Sequence, residues 1–447
     1  MTDTARDDVL ARIKSDGLET LRLSFVDQHG VLRGKTLVAD AAETAFRDGI
    51  AMTSTLLLKD TSHKTVFPVW QEGPGLGGGL LEGAGDVLIR PDPSTFRVLP
   101  WSPHCGWVLC DLSYKDGSAL PFNPRGLLRS AVGTLSEAGM AMQIGLEAEF
   151  TLFEADTDTP LNSGYQYLTE ARYGTLEPVL DALRRAAQAL DLPVRSVEIE
   201  FGPGQVEMTF APMPPVVAAD TLTLFRAMIR DVTAQHGLRA SFMCRPKHPN
   251  AVPSGLHVHQ SVQDLERQSL LQSADGSLND VASGWIAGLL DRAIEGCLLS
   301  TPTVNGYKRF QPGMLAPDRV QWGRDNKGAM LRALIGPDDP ASRIENRVAE
   351  SAANPYLFLA GQIHAGLDGI TRKAQAPAPV TRPYQSDAAA LPRSLGQSID
   401  AFAGSKFYQD AFGADVVSWL ETLKRAEWDR YLAEISDWEQ REYFALF

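Results

Sequence analysis

Gly145-Leu-Glu-Ala-Glu-Phe-Thr-Leu-Phe153 alternates without a break: Glu147, Glu149 and Thr151 fall on one side of an extended chain, Leu146, Ala148, Phe150 and Leu152 on the other. That is a half-buried strand whose open face carries acid. Two further stretches read the same way. Ser196-Val-Glu-Ile-Glu-Phe201 sets Glu198 and Glu200 against Val197, Ile199 and Phe201, and the turn Gly202-Pro-Gly-Gln205 leads into Val206-Glu-Met-Thr-Phe210, with Glu207 and Thr209 on one side. Leu256-His-Val-His-Gln-Ser261 aligns His257, His259 and Ser261. A merely solvated face would mix in Lys and Arg, whereas these faces offer only Glu, His, Ser and Thr. If they converge, the carboxylates repel one another unless a cation sits between them. An oxygen-rich donor set with an occasional imidazole suits Mg²⁺ or Mn²⁺ better than zinc or copper.

Working outward, the alternation predicts strands near 142–153, 194–202, 205–211, 239–245 and 255–262. Helices are expected near 175–190, 216–236, 280–298 and 352–374. Strands joined by short Gly turns and backed by helices make an α+β arrangement with an antiparallel sheet. The first 113 residues read differently. A short helix over 5–17 precedes a hairpin of 19–26 and 31–38 turning at Asp27-Gln-His-Gly30, then a helix over 39–48 and strands at 86–90, 96–100 and 107–112. The expected domains are therefore 1–113 and 114–447. Gly73-Pro-Gly75-Leu-Gly-Gly78 matches a dinucleotide fingerprint only formally, since it follows no strand and opens no helix; it reads as a loop. Residues 375–392, rich in Pro and Ala, read as a surface loop, and the last 27 residues as one or two charged amphipathic helices.

The chain has 447 residues, with 55 Asp+Glu against 42 Lys+Arg and a formal net charge of −13. No long basic block offers a grip on nucleic acid or on a membrane surface, so neither is an expected partner. Four cysteines without a CxxC pair supply neither a disulfide framework nor a zinc module. The stretch Trp285–Leu299 is interrupted by Asp291, Arg292 and Glu295, and Met1–Asp8 has no apolar signal core, so the expected location is the cytoplasm. The cationic counterpart of the acids is local. Tyr307-Lys-Arg309, Arg332 and Arg343-Ile-Glu-Asn-Arg347 gather guanidinium groups, with Arg343, Glu345 and Arg347 sharing a strand face. Arginine forks grip phosphate and carboxylate in two-point fashion, and carboxylates that hold metal beside them are the parts of metal-assisted phosphoryl transfer. No GxxxxGK[ST] occurs, which excludes a P-loop enzyme.

Taken in order, Phe25-Val-Asp-Gln-His-Gly-Val-Leu-Arg-Gly-Lys35, Pro91-Asp-Pro-Ser-Thr95, Gly145–Glu149, Glu200-Phe-Gly-Pro-Gly-Gln-Val-Glu207, Gly255-Leu-His-Val-His259, Asn305–Arg309, Arg343–Arg347 and Ala353-Asn-Pro-Tyr356 resemble the glutamine synthetase family over nearly the whole chain. The Arg-Ile-Glu-Asn-Arg form looks most like the branch that γ-glutamylates organic amines. The resemblance implies an N-terminal β-grasp domain and a catalytic domain whose curved antiparallel sheet forms a funnel. By position, it implies one divalent ion on Glu149, Glu200 and Glu207 and a second on Glu147, His257 and Glu345. Arg309 and Arg347, beside Gly255 and His257, match positions around the glutamate substrate. His259, Ser261, Arg332 and Arg343, beside Glu200, match positions around ATP. It further implies a stacked-ring homo-oligomer, a dodecamer by expectation, in which each site borrows the neighbouring subunit's β-grasp domain. The implied reaction makes γ-glutamyl phosphate from ATP and L-glutamate, which a small amine then opens to the amide.

This sequence departs from the ammonium-using pattern in telling places. Pro312-Gly-Met-Leu-Ala-Pro317 puts Leu315 where those members carry a glutamate, and Ala51-Met-Thr-Ser-Thr-Leu-Leu-Leu58 lacks the acid of their ammonium pocket. An ammonium ion entering such surroundings loses hydration without gaining a carboxylate, while an apolar amine body gains roughly 25 cal/mol per Å² buried. The expected substrate is a mono-amine with an apolar or aromatic body. The alternatives are a glutamine synthetase using ammonia and a catalytically silent ring protein; the second predicts lost metal ligands, yet all six positions keep Glu or His. Val252-Pro253 replaces a usual Asn-Gly, Lys327 stands in for an arginine, and Tyr384 falls near a position adenylylated in some bacterial members but lacks the surrounding acids.

Overall fold

The computed structural model describes residues 3–71, 81–164, 167–171, 173–311 and 315–447. The glycine-rich stretch 73–79 and the turn residues 312–314 lie outside the described residues. Helix α1 (Asp3–Ser15) leads into the hairpin β1 (Thr20–Val26) and β2 (Leu32–Val38), whose register pairs Phe25 with Arg33. The turn closes because Asp27 Oδ1 accepts the N–H groups of His29 and Val31 at 2.9 and 3.0 Å, with Gly30 at φ 74°. Helix α2 (Ala42–Asp48) follows, then β3 (Ile50–Thr53), β4 (Asp86–Pro91), β5 (Arg97–Leu99) and β6 (Ser102–Ser113). They form one sheet in the order β2-β1-β6-β4-β3, with β5 on β6 and β1 parallel to β6.

After α3 (Pro124–Glu137) the second sheet begins with β7 (Met140–Glu154), and the chain continues through α4 (Tyr173–Ala189), β8 (Val194–Ile199), β9 (Gln205–Phe210), α5 (Pro215–Gln235), β10 (Leu238–Ser241), β11 (Leu256–Asp264), α6 (Asp280–Asp291) and α7 (Cys297–Ser300). Strands β12 (Trp322–Arg324), β13 (Leu331–Leu334) and β14 (Arg343–Asn346) complete it in the order β12-β13-β14-β11-β7-β9-β8, with β10 on β7. All pairs are antiparallel except β12 with β13. Helices α8 (Pro355–Thr371), α9 (Leu395–Ala403), α10 (Lys406–Phe412), α11 (Ala414–Leu432) and α12 (Asp437–Tyr443) follow. The result is a mixed α/β fold in which a curled half-barrel sheet is backed by helices.

The period-two reading explains which face goes where. Leu146, Ala148, Phe150 and Leu152 are buried, and Phe150 meets Phe225 of α5 edge-on at 6.0 Å and Phe242 at 5.5 Å. With that face committed to the helices, the acids of β7 are left to the concave side. The expected strand near 239–245 stops at Ser241, because Phe242 turns into this aromatic cluster. The expected helix over 280–298 is interrupted at 292–296. There Arg292 reaches Asp368 and lies 4.4 Å from the Phe407 ring, while Gly296 makes room for the Tyr408 hydroxyl. Among the described residues no helix is long and apolar enough to cross a membrane.

The first sheet is clamped to the second unit through Arg125 of α3, whose side chain is 4% exposed and binds Asp92, Asp111 and Asp220 at 2.9, 3.0 and 2.8 Å. Asn354, the N-cap of α8, adds a bond from its amide to the Asp27 carbonyl at 3.0 Å.

Candidate active site

Strand register assembles the site. Across β7 and β11, Glu147 lies opposite His257; across β7 and β9, Glu149 lies opposite Glu207 and Glu147 opposite Thr209. Across β8 and β9, Glu198 lies opposite Glu207; across β11 and β14, His259 lies opposite Glu345, which in turn faces Arg332 on β13. Gly204, at φ 67°, makes the β8–β9 turn possible: a Cβ there would lie 2.3 Å from the Leu152 carbonyl oxygen. Six strands thus bring to one concave surface what the sequence spreads over two hundred residues.

A cavity of about 560 Å³ opens on this surface. Its wall includes Glu147, Glu149, Glu200, Glu207 and His257, together with Arg309, Arg332 and Arg347. Three overlapping groups, Glu147–Glu207–His257, Glu147–His259–Glu345 and Glu198–Glu200–Glu207, each place three donor atoms within 4.8 Å of one another. Five of the six residues singled out as metal ligands fall in these groups, in partitions other than the two sets expected from family position; Glu149 belongs to none of them, and Glu345 does not line the cavity. Glu149 stands slightly apart: its Oε2 accepts from Gln205 Nε2 at 2.8 Å and from the Gly255 amide at 3.1 Å, and its Oε1 lies 3.9 Å from His257 Nε2.

The two histidines have defined roles. His257 Nδ1 lies 3.0 Å from Glu147 Oε2, and burial with the neighbouring Arg347 charge lowers its pKa to about 4. The ring is neutral at pH 7, with Nδ1–H given to Glu147 and the Nε2 lone pair turned toward the acids. His259 Nδ1 accepts from Arg343 Nε at 3.2 Å, so its Nε2–H donates to Glu147 Oε1 at 2.9 Å. Burial opposes ionisation of Glu147, but those two bonds hold its carboxyl well below the usual range. Glu345, fully buried, is likewise held low against burial by His257 and Arg347; it accepts from Arg332 Nη1 at 3.1 Å and from Arg347.

The other carboxyls behave oppositely. Burial and the Glu200 charge raise Glu149 to about 8, burial and neighbouring acids raise Glu207 to about 10, and burial brings Glu200 to about 7 against a bond from the Phe201 amide. One half of the site is ionised and the other half holds protons. A hard divalent cation relieves this crowding, and the donors, carboxylate oxygens with one open imidazole nitrogen, fit Mg²⁺ or Mn²⁺.

The arginines divide their work. Arg347 donates to Glu345 and, through Nε, to the Lys327 carbonyl at 3.0 Å. Arg309 is committed to backbone on one edge, giving Nη1 to the Val348 and Ala349 carbonyls and Nη2 to that of Arg347, while its buried Nε has no partner among the described residues. Gly255 permits this packing, since a Cβ there would lie 2.5 Å from Arg309 Nη2. Ser261 Oγ donates to the Ser342 carbonyl at 3.0 Å, and Arg343 donates to His259 and the Ala341 carbonyl; neither residue lines the cavity. Lys327, Leu315, Val252 and Pro253 do line it, whereas none of Ala51–Leu58 does. Tyr384 sits half-exposed on a one-turn helix over Pro383–Gln385.

Several site residues carried no assignment from sequence. Glu198 lines the cavity and takes a 2.6 Å bond from Ser196 Oγ. Its place beside Glu200 on an acidic strand face was the available signal. Gln205 bridges Glu149 and Ser254, a role that depends on burial and leaves no trace in spacing. Tyr167 and Phe201 form part of the wall: nothing in the local pattern announced Tyr167, and the alternation set Phe201 on the face away from Glu198 and Glu200, whereas β8 ends at Ile199 and Phe201 shares their cavity.

Comparison with known proteins agrees with this arrangement. The family described as glutamine synthetase, catalytic domain, matches residues 121–443. A γ-glutamylanilide synthase of Acinetobacter sp. is 37% identical over 99% of this chain and 96% of its own length. A γ-glutamylethanolamide synthetase of Streptomyces coelicolor is 31% identical over 97% and 94%. Among solved structures, GmaS without ligand superposes with a TM-score of 0.85 at 26% identity, covering 99% of this chain and all of that one.

Proposed function

This chain belongs to the glutamine synthetase family, and from that premise we propose that it joins the γ-carboxylate of L-glutamate to an organic mono-amine at the expense of ATP, releasing ADP, phosphate and a γ-glutamylamide. The observation that carries the reading is one cavity lined by metal-type carboxylates, by three guanidinium groups and by Leu315 where ammonium-using relatives place an acid. Similarity to two synthetases that amidate glutamate with organic amines supports it.

Glu149, Glu200 and Glu207 would hold one divalent ion, and Glu147, His257 and Glu345 the second; bound there, the ions neutralise phosphate charge and polarise the transferring group. Arg347, with the free edge of Arg309, receives the glutamate carboxylates, and Arg332 with Arg343, beside His259 and Ser261, receives the nucleotide. A γ-carboxylate oxygen attacks the γ-phosphorus, the bond to the β,γ-bridging oxygen breaks, and ADP leaves. The amine nitrogen then adds to the acyl carbon, the C–O bond breaks with phosphate carrying the former carboxylate oxygen, and nitrogen loses a proton. Fixed donors aimed at developing charge are each worth about 3–4 kcal/mol of barrier.

We further assign residues 1–113 to a β-grasp unit and 114–447 to the catalytic unit, and the working particle to a stacked-ring dodecamer in the cytoplasm. Every described residue lining the cavity falls between 147 and 347, within the catalytic unit so assigned. An amine panel tests the function: with ATP, Mg²⁺ and glutamate fixed, phosphate release should rise far more with apolar mono-amines than with ammonium. If ammonium gave the highest kcat/KM, the reading would be wrong.

A further inference from the structure

Part of the cavity wall is not used by the chemistry above. Tyr167 and Phe201 lie ring on ring, with centroids 4.1 Å apart and planes 8° from parallel, and both line the cavity. They remain 39% and 37% exposed, so the pair is not core. Its position is fixed: Leu168 N–H, next to Tyr167, donates to the Ile199 carbonyl at 3.0 Å, two residues before Phe201. Val252 lines the cavity too and packs against Gly202, next to Phe201, where a Cβ would lie 3.3 Å from Val252 Cβ. Pro253, Leu315 and Ala316 line the same cavity. These six side chains contain a single polar atom, the Tyr167 phenol oxygen.

Resting on the ligase reading, we propose that Tyr167 and Phe201 are the specificity-determining residues of the amine subsite and that they select an arylamine, whose ring extends their stack. Stacked aromatic pairs gain more than their buried area alone provides. A hydroxyl or second ammonium at the far end of an alkylamine would meet this wall without a matching side-chain partner beyond one phenol, and would lose hydration there. The wall adjoins Glu200 directly through Phe201, whose N–H donates to Glu200 Oε2 at 3.2 Å. A ring lying on the stack therefore sets its amino group beside the acidic half of the cavity.

The test uses the full-length protein with ATP, Mg²⁺ and glutamate, comparing aniline with methylamine by initial rates of phosphate release. Phe201→Ala and Tyr167→Ala should each raise the aniline KM roughly tenfold, lowering the aniline-to-methylamine ratio of kcat/KM by a similar factor, while the glutamate KM moves far less. Tyr167→Phe, which keeps the ring, should restore the ratio. Equal losses for both amines, or an unchanged aniline KM in both alanine variants, would overturn the inference. The wild-type panel separates this from failure of the ligase reading itself: a wild type that turns over ammonium and no organic amine would overturn both.

Discussion

Loading the metal-free protein with Mg²⁺ at pH 7 should expel protons, supplied by those carboxyls of the two proposed ligand sets whose pKa is raised. Glu147 and Glu345 are already ionised and His257, with a pKa of about 4, is already neutral, so these three reach ligand form without proton loss. Glu149, at about 8, and Glu207, at about 10, are largely protonated at pH 7, and Glu200, at about 7, is half so. Saturating the acids should therefore release roughly two protons at pH 7, and log affinity should rise with pH by roughly two per unit there, flattening in alkaline solution. The linked stability has the opposite sign without metal. These carboxyls titrate higher in the folded than in the unfolded chain, so the folded state binds more protons and stability falls as pH rises from about 4.5 toward their folded values. Calorimetric titration in two buffers of different ionisation enthalpy counts the protons. Glu207→Gln should remove about one of them. Mg²⁺ binding without proton release would refute the assigned protonation pattern.

Other perturbations address other parts. Arg347→Ala removes a guanidinium that is 9% exposed and bonded to Glu345 and Lys327; at ~2–5 kcal/mol for truncating such a group, the glutamate KM should rise on the order of 30-fold or more, and an unchanged KM in steady-state kinetics would remove Arg347 from glutamate binding. Leu315→Glu restores an acid to the cavity and should shift the ammonium-to-aniline ratio of kcat/KM toward ammonium by roughly tenfold or more; an unmoved ratio would detach Leu315 from amine choice. Arg125→Ala removes one partner each from Asp92, Asp111 and Asp220, of which the first two keep Arg129 and the third the Tyr356 hydroxyl, and should cost about 3 kcal/mol in urea unfolding. Asp92 is held below the usual carboxyl range despite its burial, by Ser94 and Arg125, so its share of that stabilisation is present at neutral pH and fades as pH falls through the acid range.

Much of the site was legible because a strand's period of two is strict. Once Leu146, Ala148 and Phe150 are committed to the helices, Glu147 and Glu149 have no other face to occupy, and the same logic holds for His257 and His259. Register was not legible. That Glu345 lies opposite both His259 and Arg332 depends on pairings between strands distant in sequence, and the way the acids group around shared positions follows from that pairing. Arg309 shows a second gap: its motif pointed to substrate, but its contacts with three carbonyls also tie down the strand end that carries Arg347. Helices α9 and α10, over Leu395–Phe412, carried no assignment, because Gly396, Ser398, Gly404 and Ser405 interrupt the apolar pattern that packing then completes. The helix across 280–298 failed where the Arg292–Asp368 pair and Tyr408 claim the turn.

The most direct measurement of the central claim follows oxygen. Glutamate labelled with ¹⁸O in its γ-carboxylate, turned over with ATP, Mg²⁺ and an amine, should deliver one labelled oxygen to each inorganic phosphate released, because that oxygen attacks the γ-phosphorus and leaves with it. Phosphate free of label in the presence of amide product would contradict activation of glutamate by phosphoryl transfer.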